Sequence, residues 1–166
     1  MMCNKHGFTL IEIMVVIGLF CLIVMLGVKQ LSFLDNTIVH AEVDKLAGVC
    51  MYLRQKAMTT NIDQSLVFDV QKNEYRFDNV CEKLSKRTVF GFLPKATGSP
   101  GSAGHTIKKA ITFPASTIHF YSTGIISSGS VYLTDVNKKI MYALTNAVSQ
   151  FSYLRLYRYD GKWKLL

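Results

Sequence analysis

The strongest constraint in this sequence is an apolar run of 21 residues, 8–28, in which Glu12 is the only charged side chain. As a helix, the run would be about 31 Å long, which is enough to cross a bilayer core of about 30 Å. Lys5 and His6 precede it, so we expect a cytoplasmic N-terminus and a translocated C-terminal part. A cleaved signal peptide fits less well, because the run is too long and no small-x-small site follows it.

The position of Glu12 needs an explanation, because a carboxylate inside a bilayer costs on the order of a few kcal/mol and by default indicates a function. The surrounding residues read Gly7-Phe8-Thr9-Leu10-Ile11-Glu12, and the short basic leader MMCNKHG ends at the glycine. This arrangement resembles the processing site of type IV prepilins and pseudopilins at every position of the motif. The resemblance implies that prepilin peptidase cuts between Gly7 and Phe8, and that Phe8 is then N-methylated.

Each end of the motif has its own chemistry. Gly7 has no Cβ, so an extended backbone can enter a protease site there. Cleavage creates a cationic amine at Phe8, and Glu12 lies one helical turn further on, where a carboxylate suits the positive end of a helix. In a filament, the resemblance implies that Glu12 pairs with the Phe8 amine of a neighbour, within an assembly motif that includes Thr9, Leu10 and Ile11.

The rest of the chain predicts an α+β, pilin-like fold: a long N-terminal helix, with a membrane half and an amphipathic half, packed on an antiparallel β-sheet head. The predicted divisions are a leader at 1–7, a transmembrane and filament-core helix at 8–28, an amphipathic half at 29–60 and a β-rich head at 61–166. The amphipathic half is indicated by apolar residues at mostly three- or four-residue spacing: Leu31, Leu34, Ile38, Ala41, Leu46, Val49, Leu53 and Ala57.

Short apolar runs between turn signals predict the strands of the head. They lie at 64–70, 74–77, 86–92, 110–113, 117–121, 130–134, 140–144, 151–159 and 162–165. Phe120-Tyr121-Ser122-Thr123-Gly124, a following strand and a late strand pair near Gly161 resemble the H-type minor pseudopilins of type II secretion and related minor pilins. Many members carry Gly-Arg-x-Arg near the C-terminus, whereas this chain has Gly161-Lys162-Trp163-Lys164. The two lysines keep the positive charges but lack the guanidinium group that contacts a phosphate through two parallel hydrogen bonds.

Cysteine and catalytic patterns are sparse. Cys50 and Cys81 remain in the exported part, where they could form a disulfide in an oxidising compartment or stay as two buried thiols. There is no Cys-x-x-Cys or His-Glu-x-x-His, and the segment 94–105 misses a nucleophile elbow because Pro100 stands where a glycine is needed. We therefore expect no enzyme, no metal and no cofactor.

Charge is distributed unevenly along the chain. Residues 1–82 carry 7 basic and 9 acidic side chains, whereas residues 83–166 carry 12 basic and 2 acidic ones, a net of +10. Asp160-Gly161 predicts a two-residue hairpin turn between the last two strands. Because side chains alternate along each strand, this hairpin would have one face that is basic and aromatic and one that enters the core, with Leu154, Leu156, Trp163 and Leu165. The basic face comprises Arg155, Tyr157, Tyr159, Lys162 and Lys164.

Such a face can hold a polyanion by phosphate contact and ring stacking, or it can be an ordinary solvated strand face. DNA, an anionic surface polymer and an acidic partner pseudopilin are the candidate ligands.

The sequence thus predicts a single-pass inner-membrane protein with a cytoplasmic N-terminus and an external head, later incorporated into a pilus or pseudopilus. The expected role is a minor pilin or pseudopilin of a type IV pilus or type II secretion system. The alternative is a filament-tip receptor for DNA or another polyanion, as in competence pili. The expected partners are prepilin peptidase, other pilin or pseudopilin subunits, an inner-membrane assembly platform and the lipid bilayer.

Overall fold

The computed structural model describes residues 9–94, 96–98, 106–146 and 153–166, with the side chains of residues 26–34 excepted. The chain divides into two compact units, Met1–Leu34 and Asp35–Leu166.

The first element is one helix, α1, Leu10–Thr60. The Thr59 and Thr60 hydroxyls donate to carbonyls of the last turn, and Asn61 follows with a left-handed φ of 54°. Asparagine tolerates that conformation better than most residues, so the helix ends where the sequence predicted its end. Among the residues whose side chains are described, no helix is both long enough and apolar enough to cross a membrane.

In the described residues of the second unit, nine strands form two antiparallel sheets, whereas the sequence predicted one sheet. The four-stranded sheet has the order β3-β2-β1-β5, with β1 Gln64–Asp69, β2 Glu74–Phe77, β3 Val80–Lys83 and β5 Thr117–Phe120. The five-stranded sheet has the order β4-β6-β7-β8-β9, with β4 Thr88–Phe90, β6 Gly129–Asp135, β7 Met141–Asn146, β8 Leu154–Tyr159 and β9 Trp163–Leu165. Strand β3 was not predicted, and the predicted strand at 110–113 is only a bridge from Ile111 to Val131.

The main core lies between α1 and both sheets. From α1 it takes Val39, Val43, Leu46, Cys50, Leu53 and Ala57, all fully buried. The set of apolar residues predicted for the buried face of this helix was partly wrong. It omitted Val39, Val43 and Cys50 and included Ala41, which is exposed. The buried residues are separated alternately by four and three positions, which keeps them on one face of the helix. The predicted set instead contains a step of five, from Ala41 to Leu46, which leaves that face.

A smaller satellite core lies on the other face of the five-stranded sheet. It is formed by Ala96, Ile107, Tyr132, Met141, Ala143 and Tyr157, with Phe92, Leu93, Tyr159 and Trp163 packed against it. Strand β7 is consequently buried at every position, because its alternate residues enter the two different cores.

Candidate assembly motif and cationic head

The described part of the assembly motif begins with a helix cap. The Thr9 backbone N–H and hydroxyl donate to Glu12 Oε2 at 2.9 and 3.0 Å, and the Glu12 N–H donates to Thr9 Oγ1 at 3.4 Å. This reciprocal pattern is a capping box, which satisfies amide groups that a helix N-terminus otherwise leaves unpaired. Gly7 and Phe8, the predicted cleavage and methylation residues, lie outside the described residues.

The helix that follows the cap is apolar on all sides. Every residue from 10 to 25 is exposed, including Leu10, which is 79% exposed, and Met25, which is 75% exposed. Contiguous apolar surface of this kind marks a site that lipid or another protein covers. Leu10, Ile11 and Glu12 of the predicted assembly motif all lie on this exposed surface.

The structure does not bring the predicted basic face together. Tyr159 pairs with Trp163, Arg158 with Lys164, and Tyr157 with Leu165, so the loop has three residues, 160–162. The two-residue turn was therefore wrong, and a one-residue shift in register moves every side chain of β9 to the opposite face. Lys164 shares its face with Arg158, and Trp163 takes the place beside Tyr159.

The predicted aromatic part of that face is largely used in packing. Tyr157 is only 6% exposed, and the rings of Tyr159 and Trp163 meet edge to face at 5.0 Å. Trp163 also contacts the Tyr132 ring at 6.0 Å and donates its indole N–H to the Thr97 carbonyl at 3.0 Å. These rings therefore stabilise the satellite core and offer little open face for base stacking.

The predicted cations differ in their surroundings. Arg155, Lys162 and Lys164 are all exposed, but Lys164 Nζ lies 2.9 Å from an Asp160 carboxylate oxygen. The Lys164 ammonium is the main cause that holds the pKa of Asp160 below its ordinary value. Asp135, the other acidic residue of the distal half, is buried, and its carboxylate accepts backbone N–H groups.

Cys50 and Cys81 are both free, so of the two alternatives the disulfide is not formed, and only one of the two thiols is buried. Cys50 faces the main core from α1, whereas Cys81 lies exposed on the edge strand β3, opposite Arg76. Burial raises the pKa of the Cys50 thiol far above its ordinary value, which keeps it in the unreactive thiol form.

Two structural features were missed in the sequence although their signals were present. Thr9-Leu10-Ile11-Glu12 fits the Ser/Thr-x-x-Glu pattern of a capping box. An Asp-Asn pair separates β2 from β3, where Phe77 pairs with Val80 across a two-residue loop, and Asp78 has a φ of +49°. The tight turns of hairpins favour Asn and Asp, beside Gly, at their central positions.

Comparison with known proteins identifies the N-terminal segment. Residues 2–28 match the family described as the prokaryotic N-terminal methylation motif. No curated protein and no solved structure was found to be similar. The motif supports a type IV pilin-like or pseudopilin-like chain, a membrane-anchored precursor that prepilin peptidase processes and that assembles with other pilins.

Proposed function

We propose that this chain is a minor pilin or pseudopilin, a structural subunit of a type IV pilus or of a type II secretion pseudopilus. The observation that carries the proposal is the exposed apolar helix of residues 10–25, which starts at the Thr9–Glu12 cap inside the methylation motif. In this proposal, residues 8–28 anchor the precursor in the inner membrane, an assembly platform recruits it, and the same surface then packs against neighbouring subunits.

Processing can be tested with Gly7→Val. The added Cβ and two methyl groups obstruct an extended backbone in a protease site. Because a small displacement of the scissile bond from the catalytic groups costs about a hundredfold in rate, we expect leader removal to slow by roughly that factor. Gly18→Val is the matched control, because an added Cβ there meets no atom within 4 Å. The measurement is the mass of each protein from cells with an active peptidase. Wild-type cleavage of the Gly7→Val chain would contradict the proposed site.

The charge of the distal half favours a second candidate function, a filament-tip receptor for DNA or another polyanion. Residues 83–166 carry a net +10, and Arg155 and Lys162 are exposed. Phosphate contacts release counterions, so DNA binding would weaken steeply with salt. We expect the full-length protein in detergent micelles to retard duplex DNA at low salt and to lose this retardation as salt is raised. Absence of retardation at low salt would exclude DNA as the ligand.

A further inference from the structure

The cationic head contains a surface cleft of about 450 Å³ beside strand β6. We call it the Lys108–Lys109 cleft, and its lining includes Thr106, Lys108, Lys109, Thr112 and Tyr132. Its volume is within the range of sites that bind small molecules, roughly 300–1,000 Å³. The cleft is therefore large enough for one or two units of a polymer.

Hydrogen bonds fix the wall of the cleft that carries the lysines. The Thr112 N–H donates to the Ser130 carbonyl at 2.9 Å, and the Ser130 N–H donates to Thr112 Oγ1 at 2.7 Å. The Tyr132 N–H donates to the Ala110 carbonyl at 2.8 Å, so the segment after Lys109 is tied to β6. Buried Ile107 anchors the segment before Lys108 in the satellite core. The wall is thus formed before any ligand arrives, which lowers the entropic cost of binding.

The electrostatic character of the cleft is cationic. Lys108 and Lys109 are both exposed, and neither forms an ion pair within the part of the chain that the structure describes. No acidic side chain is among the described lining residues. Arg155 lies on the same sheet face, in register with Thr145, which in turn pairs with Ser130. An anion in this cleft would meet lysine side chains that no carboxylate of the described residues neutralises.

The lining also indicates which kind of anion fits. Tyr132 forms part of the cleft but is only 2% exposed, and its ring is held against Trp163. A nucleobase would need an open ring face, which the described lining residues do not present. Lysine ammonium groups and the exposed Thr106 instead suit a ligand that carries a negative charge and several hydroxyl groups.

We propose that the Lys108–Lys109 cleft binds acidic sugar units of an anionic surface polysaccharide. In this arrangement the two ammonium groups contact the sugar carboxylate, and Thr106 contacts its hydroxyl groups. The proposal rests on the second candidate function, the polyanion receptor, and narrows it to a ligand class and a site. It does not depend on the processing or assembly of the chain.

The test is calorimetric titration of the full-length protein in detergent micelles with a trimer of galacturonic acid, at fixed ionic strength. A neutral galactose trimer serves as the ligand control. We expect Lys108→Gln combined with Lys109→Gln to weaken binding at least about tenfold, because one charge-assisted hydrogen bond is worth that much. Lys138→Gln combined with Lys139→Gln is the matched control, since it removes the same charge from an adjacent pair outside the cleft lining.

The proposal is supported if the acidic trimer binds, the neutral trimer does not, and only the cleft variant loses affinity. It is overturned if both double variants lose affinity equally, because binding then follows net charge alone. It is also overturned if neither trimer binds, or if both bind equally. If the protein retards DNA but does not bind the acidic trimer, the polysaccharide proposal is overturned and the polyanion-receptor function stands. If it neither retards DNA nor binds the trimer, both proposals are overturned.

Discussion

Replacing Asp135 with alanine is expected to lower the free energy of unfolding by about 3 kcal/mol, because it leaves three partly buried backbone N–H groups without their charged acceptor. Asp135 is 1% exposed and is the last residue of β6. Its Oδ1 accepts the backbone N–H groups of Lys139 and Ile140 at 2.7 and 2.8 Å, and its Oδ2 accepts that of Asn137 at 3.1 Å. One carboxylate therefore organises the whole connection between β6 and β7.

Two further variants make this prediction specific. Asp135→Asn keeps one oxygen acceptor and should have an intermediate effect. Asp160→Ala removes the same charge from an exposed loop residue whose partner is Lys164, so we expect little change in stability. Urea unfolding in detergent micelles can be followed by the fluorescence of Trp163, the chain's single tryptophan, which packs against the satellite core. Equal destabilisation by Asp135→Ala and Asp160→Ala would show that net charge, not the amide contacts, is responsible.

Replacing Glu12 with alanine is expected to reduce incorporation into filaments at least about tenfold, because removing one partner of an ion pair shielded from water costs several kcal/mol. Here we propose that Glu12 acts twice: it caps its own helix through Thr9, and it pairs with the Phe8 amine of a neighbouring subunit. The cap is formed within a single chain, with Glu12 Oε2 at 2.9 Å from the Thr9 amide nitrogen. Cleavage after Gly7 would leave that amide in place.

Two variants separate the two roles. Glu12→Gln retains a carbonyl oxygen that can accept from Thr9, but it carries no charge. Thr9→Ala removes the hydroxyl of the cap and keeps the carboxylate. The measurement is the fraction of the protein recovered in sheared filaments relative to membranes. We expect Glu12→Gln to behave like Glu12→Ala and Thr9→Ala to have the smaller effect. Wild-type incorporation of Glu12→Gln would show that capping alone is the role of this residue.

Local patterns predicted much of this fold. The end of α1 near Thr59 and strands such as β2 follow from neighbouring residues, because helix breakers and turn residues act within a few positions. The methylation motif is likewise a continuous segment, so the residues that define it can be recognised in the amino-acid sequence alone.

Features that depend on distant contacts were not predictable in this way. A loop that contains Asp160-Gly161 can have two or three residues. The pairing of Tyr159 with Trp163 shows that it has three, and this register determines on which face each side chain of β9 lies. The residues of β7 enter two cores, so no alternation marks them. The cleft is formed where the segment around Lys108 meets β6, and no local pattern indicates that these two segments lie together.

The central claim is that this chain is a processed subunit of a filament machine. The most direct test is mass spectrometry of the N-terminus of the wild-type protein, isolated from cells with an active prepilin peptidase. We predict a chain that begins at Phe8 and carries a single methyl group on its terminal amine. A chain that still begins at Met1 would contradict the claim.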